Sequence, residues 1–173
     1  MTGPGRIAAL CAGLGACCTA VWAETTASPA RALMQSAEAM RSGDAAVALT
    51  HAREAASRDP GSADAQHAVV HASLAEAGAP TRETLGALMA AYEAAPFAAA
   101  EVMVWRVDLA DAYWPAIPDP LAEATLSQID ALGRMGDDWR PRVRWCRSAV
   151  TDAIAEAACR TVPGVEKGVD LKG

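Results

Sequence analysis

His51, His67 and His71 are the only histidines of the 173-residue chain, and they lie within one short stretch. Imidazole nitrogens brought together from neighbouring helices are common ligands of zinc and copper. His67 and His71 stand at i and i+4, which puts them on one face of a helix, one turn apart. A hairpin turning near residues 60–61 sets residue 51 opposite residue 71, so three imidazoles could converge. The stretch "HAVVH", 67–71, has no glutamate where the zinc-protease HExxH pattern carries one, so hydrolysis is not implied. His51 is also free to point away from the other two. The preferred reading is that of surface histidines without a metal or cofactor, with His67 and His71 kept as candidate partner-binding residues.

Two further groups have chemistry to offer. Glu101, Asp108 and Asp111 share a face of a helix expected over 98–113, the pattern of a paired-carboxylate acid/base site. No partner base accompanies them, and a solvated acidic face is the expectation. Val102, Trp105, Leu109 and Ala112 should line the core side of that helix. In "DDWRPRVRWCRSAV", 137–150, Trp139, Val143, Cys146 and Val150 form an apolar stripe, and Arg140, Arg144 and Arg147 a parallel one. Guanidinium forks beside tryptophan suit carboxylates, phosphates or anionic glycans. Neutralisation of the protein's own acid is the plainer use of these arginines. They are retained as candidate partner-binding residues.

The beginning of the chain reads as an address. Arg6 is followed by the apolar run "IAALCAGLGACCTAVW" and by "VWA" before Glu24, which suits signal-peptide cleavage after Ala23. The run is shorter than the roughly 18–20 residues of a spanning helix, so an uncleaved anchor is the lesser alternative. A lipoprotein modified at Cys17, within "LGAC", is another. Export to the periplasm or beyond is the expectation, with no transmembrane segment in the mature chain. Loss of residues 1–23 takes the formal charge from −6 to −7 by removing Arg6. An exported acidic protein is not expected to bind nucleic acid.

Cleavage would leave two of the five cysteines, Cys146 and Cys159. On one straight helix they would stand about 20 Å apart along the axis, out of reach of each other. A break at "SAVTD", 148–152, with Thr151 starting a new helix, would let Cys159 return. Both arrangements are open from the sequence, and an oxidising compartment favours the disulfide.

The elements that position these residues are helices. Alanine dominates the chain after residue 23, and glycine and proline cluster in "SGD" 42–44, "DPGS" 59–62, "AGAP" 77–80, "AAPF" 94–97 and "WPAIPDP" 114–120. Helices are expected near 30–42, 44–58, 62–78, 82–95, 98–113, 120–134, 138–150 and 151–161. Short loops fold each helix back on its predecessor, giving an all-α stack of antiparallel hairpins across one helical domain, 24–161. Residues 162–173 should form a disordered tail. All aromatic residues beyond the leader lie between 92 and 145, so the bulky core belongs to the second half.

Residues 29–62 resemble a tetratricopeptide repeat, a helix–turn–helix unit of about 34 residues. Ser36, Ala48 and Ala55 fill its small positions, Gly43 its turn and Pro60 its exit. Ala32, Gln35, Ala39 and Ala52 stand where its large residues are usual. Residues 63–96 look like a second unit, and 98–134 keep the rhythm without the motif. The resemblance implies an α-solenoid, with positions 67 and 71 on the concave, ligand-facing side. The expected function is a non-catalytic scaffold of the bacterial cell envelope that binds a protein or peptide. The alternative is a glycan- or anion-binding protein, or minor enzyme, of envelope polysaccharide metabolism, using the Trp/Arg-rich region.

Overall fold

The computed structural model describes residues 28–135 and 145–160, and all regular structure among them is helical. The leader with Cys17, the candidates Arg140 and Arg144, the stripe residues Trp139 and Val143, and the tail 162–173 lie outside the described residues. The helices are α1 (Pro29–Arg41), α2 (Ala45–Arg58), α3 (Ala63–Ala77), α4 (Arg82–Ala94), α5 (Ala100–Ala112), α6 (Asp119–Arg134) and α7 (Asp152–Cys159). Residues 145–148 are helical as well, and Trp114–Ala116 form a 3-10 turn. The chain divides into two compact units between Ala87 and Leu88, inside α4.

In the first unit each helix begins where the sequence supplies a cap. Ser28, with Pro29 behind it, accepts the N–H of Arg31 at 3.2 Å, Asp44 that of Val47 at 3.1 Å, and Ser62 that of Ala65 at 3.3 Å. Helix α4 begins with a reciprocal pair. The Thr81 backbone N–H reaches the Thr84 hydroxyl and the Thr84 N–H reaches the Thr81 hydroxyl, at 3.0 and 3.2 Å. Gly43 and Gly78 adopt left-handed backbone, φ +81° and +71°, at the ends of α1 and α3, where a side chain would be strained.

Helix α1 packs on α2 and α2 on α3, with a lesser contact between α1 and α3. The seam is built from small residues. Ala32, Ala55 and Ala65, one from each helix, meet in a single buried cluster. Ala48 and Ala52 are fully enclosed, and the buried Ser36 hydroxyl donates to the Ala48 carbonyl at 2.9 Å. Each such methyl group contributes only about 0.8 kcal/mol on burial. What the small residues permit is close approach of the helix axes. The buried Ser73 and Thr84 hydroxyls join α3 to the start of α4 at 2.8 Å.

The second unit has the bulk. Met103, Val107, Ile129, Leu132, Trp145, Cys146, Ile154 and Ala158 form one buried cluster from α5, α6, residues 145–146 and α7. Helix α5 therefore turns a different side inward from the one expected. Met103, Arg106, Val107 and Ala110 are buried, whereas Val102, Trp105 and Leu109 are half-buried and Ala112 is exposed. Apolar residues on several sides of this helix weaken the periodic signal, and a charged residue, Arg106, at a fully buried position masks the true face. Val150, placed in the core stripe by spacing, is 83% exposed. The helical rhythm ends before it, so it sits in the turn rather than on a helix face.

Candidate functional site

The structure does not assemble the three histidines. His51 is half-buried, its Nδ1 3.6 Å from Glu54 Oε2 on its own helix, too long for a hydrogen bond. His67 is half-buried and His71 exposed, both on α3. Partial cover draws the His71 pKa below its usual value, but the residue is exposed by area, so little energy attaches to that shift. Among the described residues no three His, Cys, Asp or Glu side chains lie close enough to hold a metal ion.

The acidic row is divided between solvent and structure. Glu101 is exposed. Asp108 accepts the indole N–H of Trp145 at 2.7 Å. Asp111 accepts two backbone N–H groups, from Val150 through Oδ2 and from Thr151 through Oδ1, each at 2.9 Å. Glu101 and Asp108 are exposed and Asp111 half-buried, so the face is largely solvated while two of its carboxylates also make structural hydrogen bonds. Both carboxylates secure the segment that enters α7, whose own Thr151 makes no side-chain cap bond. Trp145 is 2% exposed, so its ring faces the core and offers no platform to a sugar. Arg147 is exposed.

Cys146 and Cys159 are joined by a disulfide, with Cα atoms 5.1 Å apart. The chain leaves its helical path at residues 149–151 and α7 starts at Asp152, which folds Cys159 back toward Cys146. That separation lies within the span a disulfide requires.

Sequence reasoning missed a polar interior in the second unit. Arg106 is 0% exposed, and its guanidinium donates to the carbonyls of Ala95 and Ala91 at 2.8 and 2.9 Å. Its Cζ lies 4.7 Å from the centre of the Tyr92 ring. The guanidinium gives the Ala95 carbonyl a donor and adds a second to the Ala91 carbonyl, which also accepts the Ala95 backbone N–H at 3.1 Å, and its charge complements the negative end of the helix dipole. Burial draws the Arg106 pKa down, and the neighbouring Tyr92 opposes that. Burial pushes the Tyr92 pKa up, against the Thr125 hydrogen bond and the Arg106 charge. The Tyr92 and Thr125 hydroxyls are 3.1 Å apart, and Gln128 Nε2 donates to the Pro96 carbonyl at 2.8 Å. The one signal available was the place of Arg106 between Met103 and Ala110 at helical spacing.

A shallow depression of about 420 Å³ lies on the outer side of α1, lined by Arg31, Met34, Gln35, Ala37, Glu38 and Arg41. It contains none of the sequence-derived candidates. Among the described residues no helix is long and apolar enough to cross a membrane. No protein-family model, curated protein or solved structure matches the chain.

Proposed function

We propose that the chain is an exported, tetratricopeptide-like interaction module that binds a protein or peptide of the cell envelope and performs no chemistry itself. The observation that carries this reading is the small-residue seam of α1 and α2. Ser36, Ala48 and Ala55, at the small positions of the motif, are all buried there, and Ser36 and Ala48 touch. Ala32, Ala39 and Ala52, at positions where the motif usually has large residues, are buried in the same hairpin, so alanine replaces bulk. Gln35 is exposed and departs from the motif. The leader-like first 23 residues support export.

In this arrangement His67 and His71 belong to the ligand-facing side of α3. Two measurements test the proposal. N-terminal sequencing of protein from the periplasmic fraction should begin at Glu24. A photo-crosslinking residue at position 71 should trap a discrete envelope partner, and one at Ser57 of α2 should not. A chain that retains Met1 in the cytoplasm, or equal trapping at both positions, would overturn the reading.

A further inference from the structure

Helix α7 is tied at both ends. The Asp111 carboxylate holds the N–H groups of Val150 and Thr151 at its entrance. At its far end Cys159 is bonded to Cys146. Between these ties, Ile154 and Ala158 are fully buried against Met103, Val107, Ile129 and Leu132. The helix has eight residues. Isolated helices shorter than about 12–15 residues are marginal in water, so α7 persists only through its attachments. The two sulfur-bearing residues also differ in access: Cys146 is 2% exposed and Cys159 is half-buried. An attacking thiolate therefore meets Cys159 first.

We propose that the Cys146–Cys159 bridge is a redox latch: it holds α7 as a strap over the apolar surface of α5 and α6, and a dithiol reductant releases it. One thiolate of the reductant attacks Cys159 Sγ, forming a mixed disulfide as Cys146 Sγ departs as a thiolate. The second reductant thiolate then displaces Cys159 Sγ and closes the reductant's own disulfide. Two electrons pass from reductant to protein, and the two reductant protons end on the two cysteines. Opening a loop of this length frees chain entropy that raises the detached population of α7 on the order of 100-fold. The Asp111 clamp and the buried side chains of Ile154, Ala155 and Ala158 then compete with that gain. Release uncovers the apolar side chains of α5 and α6 without dismantling either helix. This inference does not rest on the proposed interaction function.

Hydrogen exchange read by mass spectrometry on the purified protein tests the latch, oxidised and in dithiothreitol. Reduction should speed exchange of the α7 amides on the order of 100-fold, while the central amides of α5 and α6 keep their protection. Reoxidation should restore the first state, and the C146S/C159S double variant should match the reduced protein without any reductant. Unchanged α7 exchange in the double variant would overturn the latch. So would loss of protection in α5 and α6 in step with α7, which is the mark of a staple for the whole unit. A bridge that resists native dithiothreitol, read by alkylation mass, would overturn it as well.

Discussion

The Ser36 hydroxyl donates to the Ala48 carbonyl at 2.9 Å, across twelve residues of sequence and inside the α1–α2 seam. A hydroxyl close enough to touch the opposite backbone leaves no room for a larger side chain at either position. Ala48 has no exposed surface. Ala48→Leu should therefore overpack the hairpin and cost about 1–3 kcal/mol, read as a lowered urea midpoint. Ser36→Ala keeps the volume and loses only one net hydrogen bond, about 0.5–1.5 kcal/mol. If Ala48→Leu proves neutral, the seam is looser than the contact implies.

Two glycines with equal space around them should respond in opposite directions. A Cβ at either Gly43 or Gly86 would meet nothing within 4 Å. Gly43 holds φ +81°, which an L side chain adopts at a cost, so Gly43→Ala should destabilise by about 1–2 kcal/mol. Gly86 lies within α4 without such backbone, and Gly86→Ala should stabilise by up to about 1 kcal/mol. Thermal melts of the two variants decide the matter. Shifts of the same sign would show that conformation is not the controlling difference.

Arg53 grips Glu83 with two bonds of 2.7 Å, linking α2 to the first turn of α4. The hydrogen bond from Arg53 holds the Glu83 pKa below the ordinary value of 4.5 and raises that of Arg53. A depressed carboxylate pKa contributes stability above its unfolded value and loses it as pH falls through the folded one. Both side chains are substantially exposed, so the contribution should stay under about 1 kcal/mol. Urea titrations should show Glu83→Gln costing that amount at pH 7 and nothing near pH 2. A cost that persists at pH 2 would point to packing rather than charge.

The parts legible in the sequence were those governed by local rules. The alanine periodicity and the glycine and proline punctuation act within a few residues and marked the hairpins, and the structure adds the local detail of caps at Ser28, Asp44 and Ser62 and left-handed glycines at 43 and 78. The break before α7 was visible in Thr151 only as one of two options. What decides between them is Asp111, about forty residues earlier, whose carboxylate bonds the turn. The same distance hid the role of Asp108 at Trp145. The inward side of α5 was misjudged because a buried arginine reads as surface until the carbonyls of Ala91 and Ala95 are seen to receive it. Of the candidate binding residues, His67 is half-buried, and His71 and Arg147 are exposed.

Arg106 offers the sharpest test of the second unit. Its fork satisfies two carbonyls at the end of α4 while its face lies over Tyr92. Arg106→Met retains much of the apolar stem and removes a buried charge, a change that is neutral or stabilising where packing alone matters. Here the Ala95 carbonyl would lose its side-chain donor, at roughly 1–3 kcal/mol if left buried and unmet, while the Ala91 carbonyl keeps the backbone N–H of Ala95. The expected net cost is about 1–3 kcal/mol. Arg106→Lys should recover only part of it, because an ammonium lacks the planar fork that reaches both oxygens. Denaturant titration of the three proteins, with hydrogen exchange at the last amides of α4 and at Ala95, separates the outcomes. A methionine variant as stable as the parent, with those amides still protected, would show that the guanidinium is replaceable filling rather than the cap of α4.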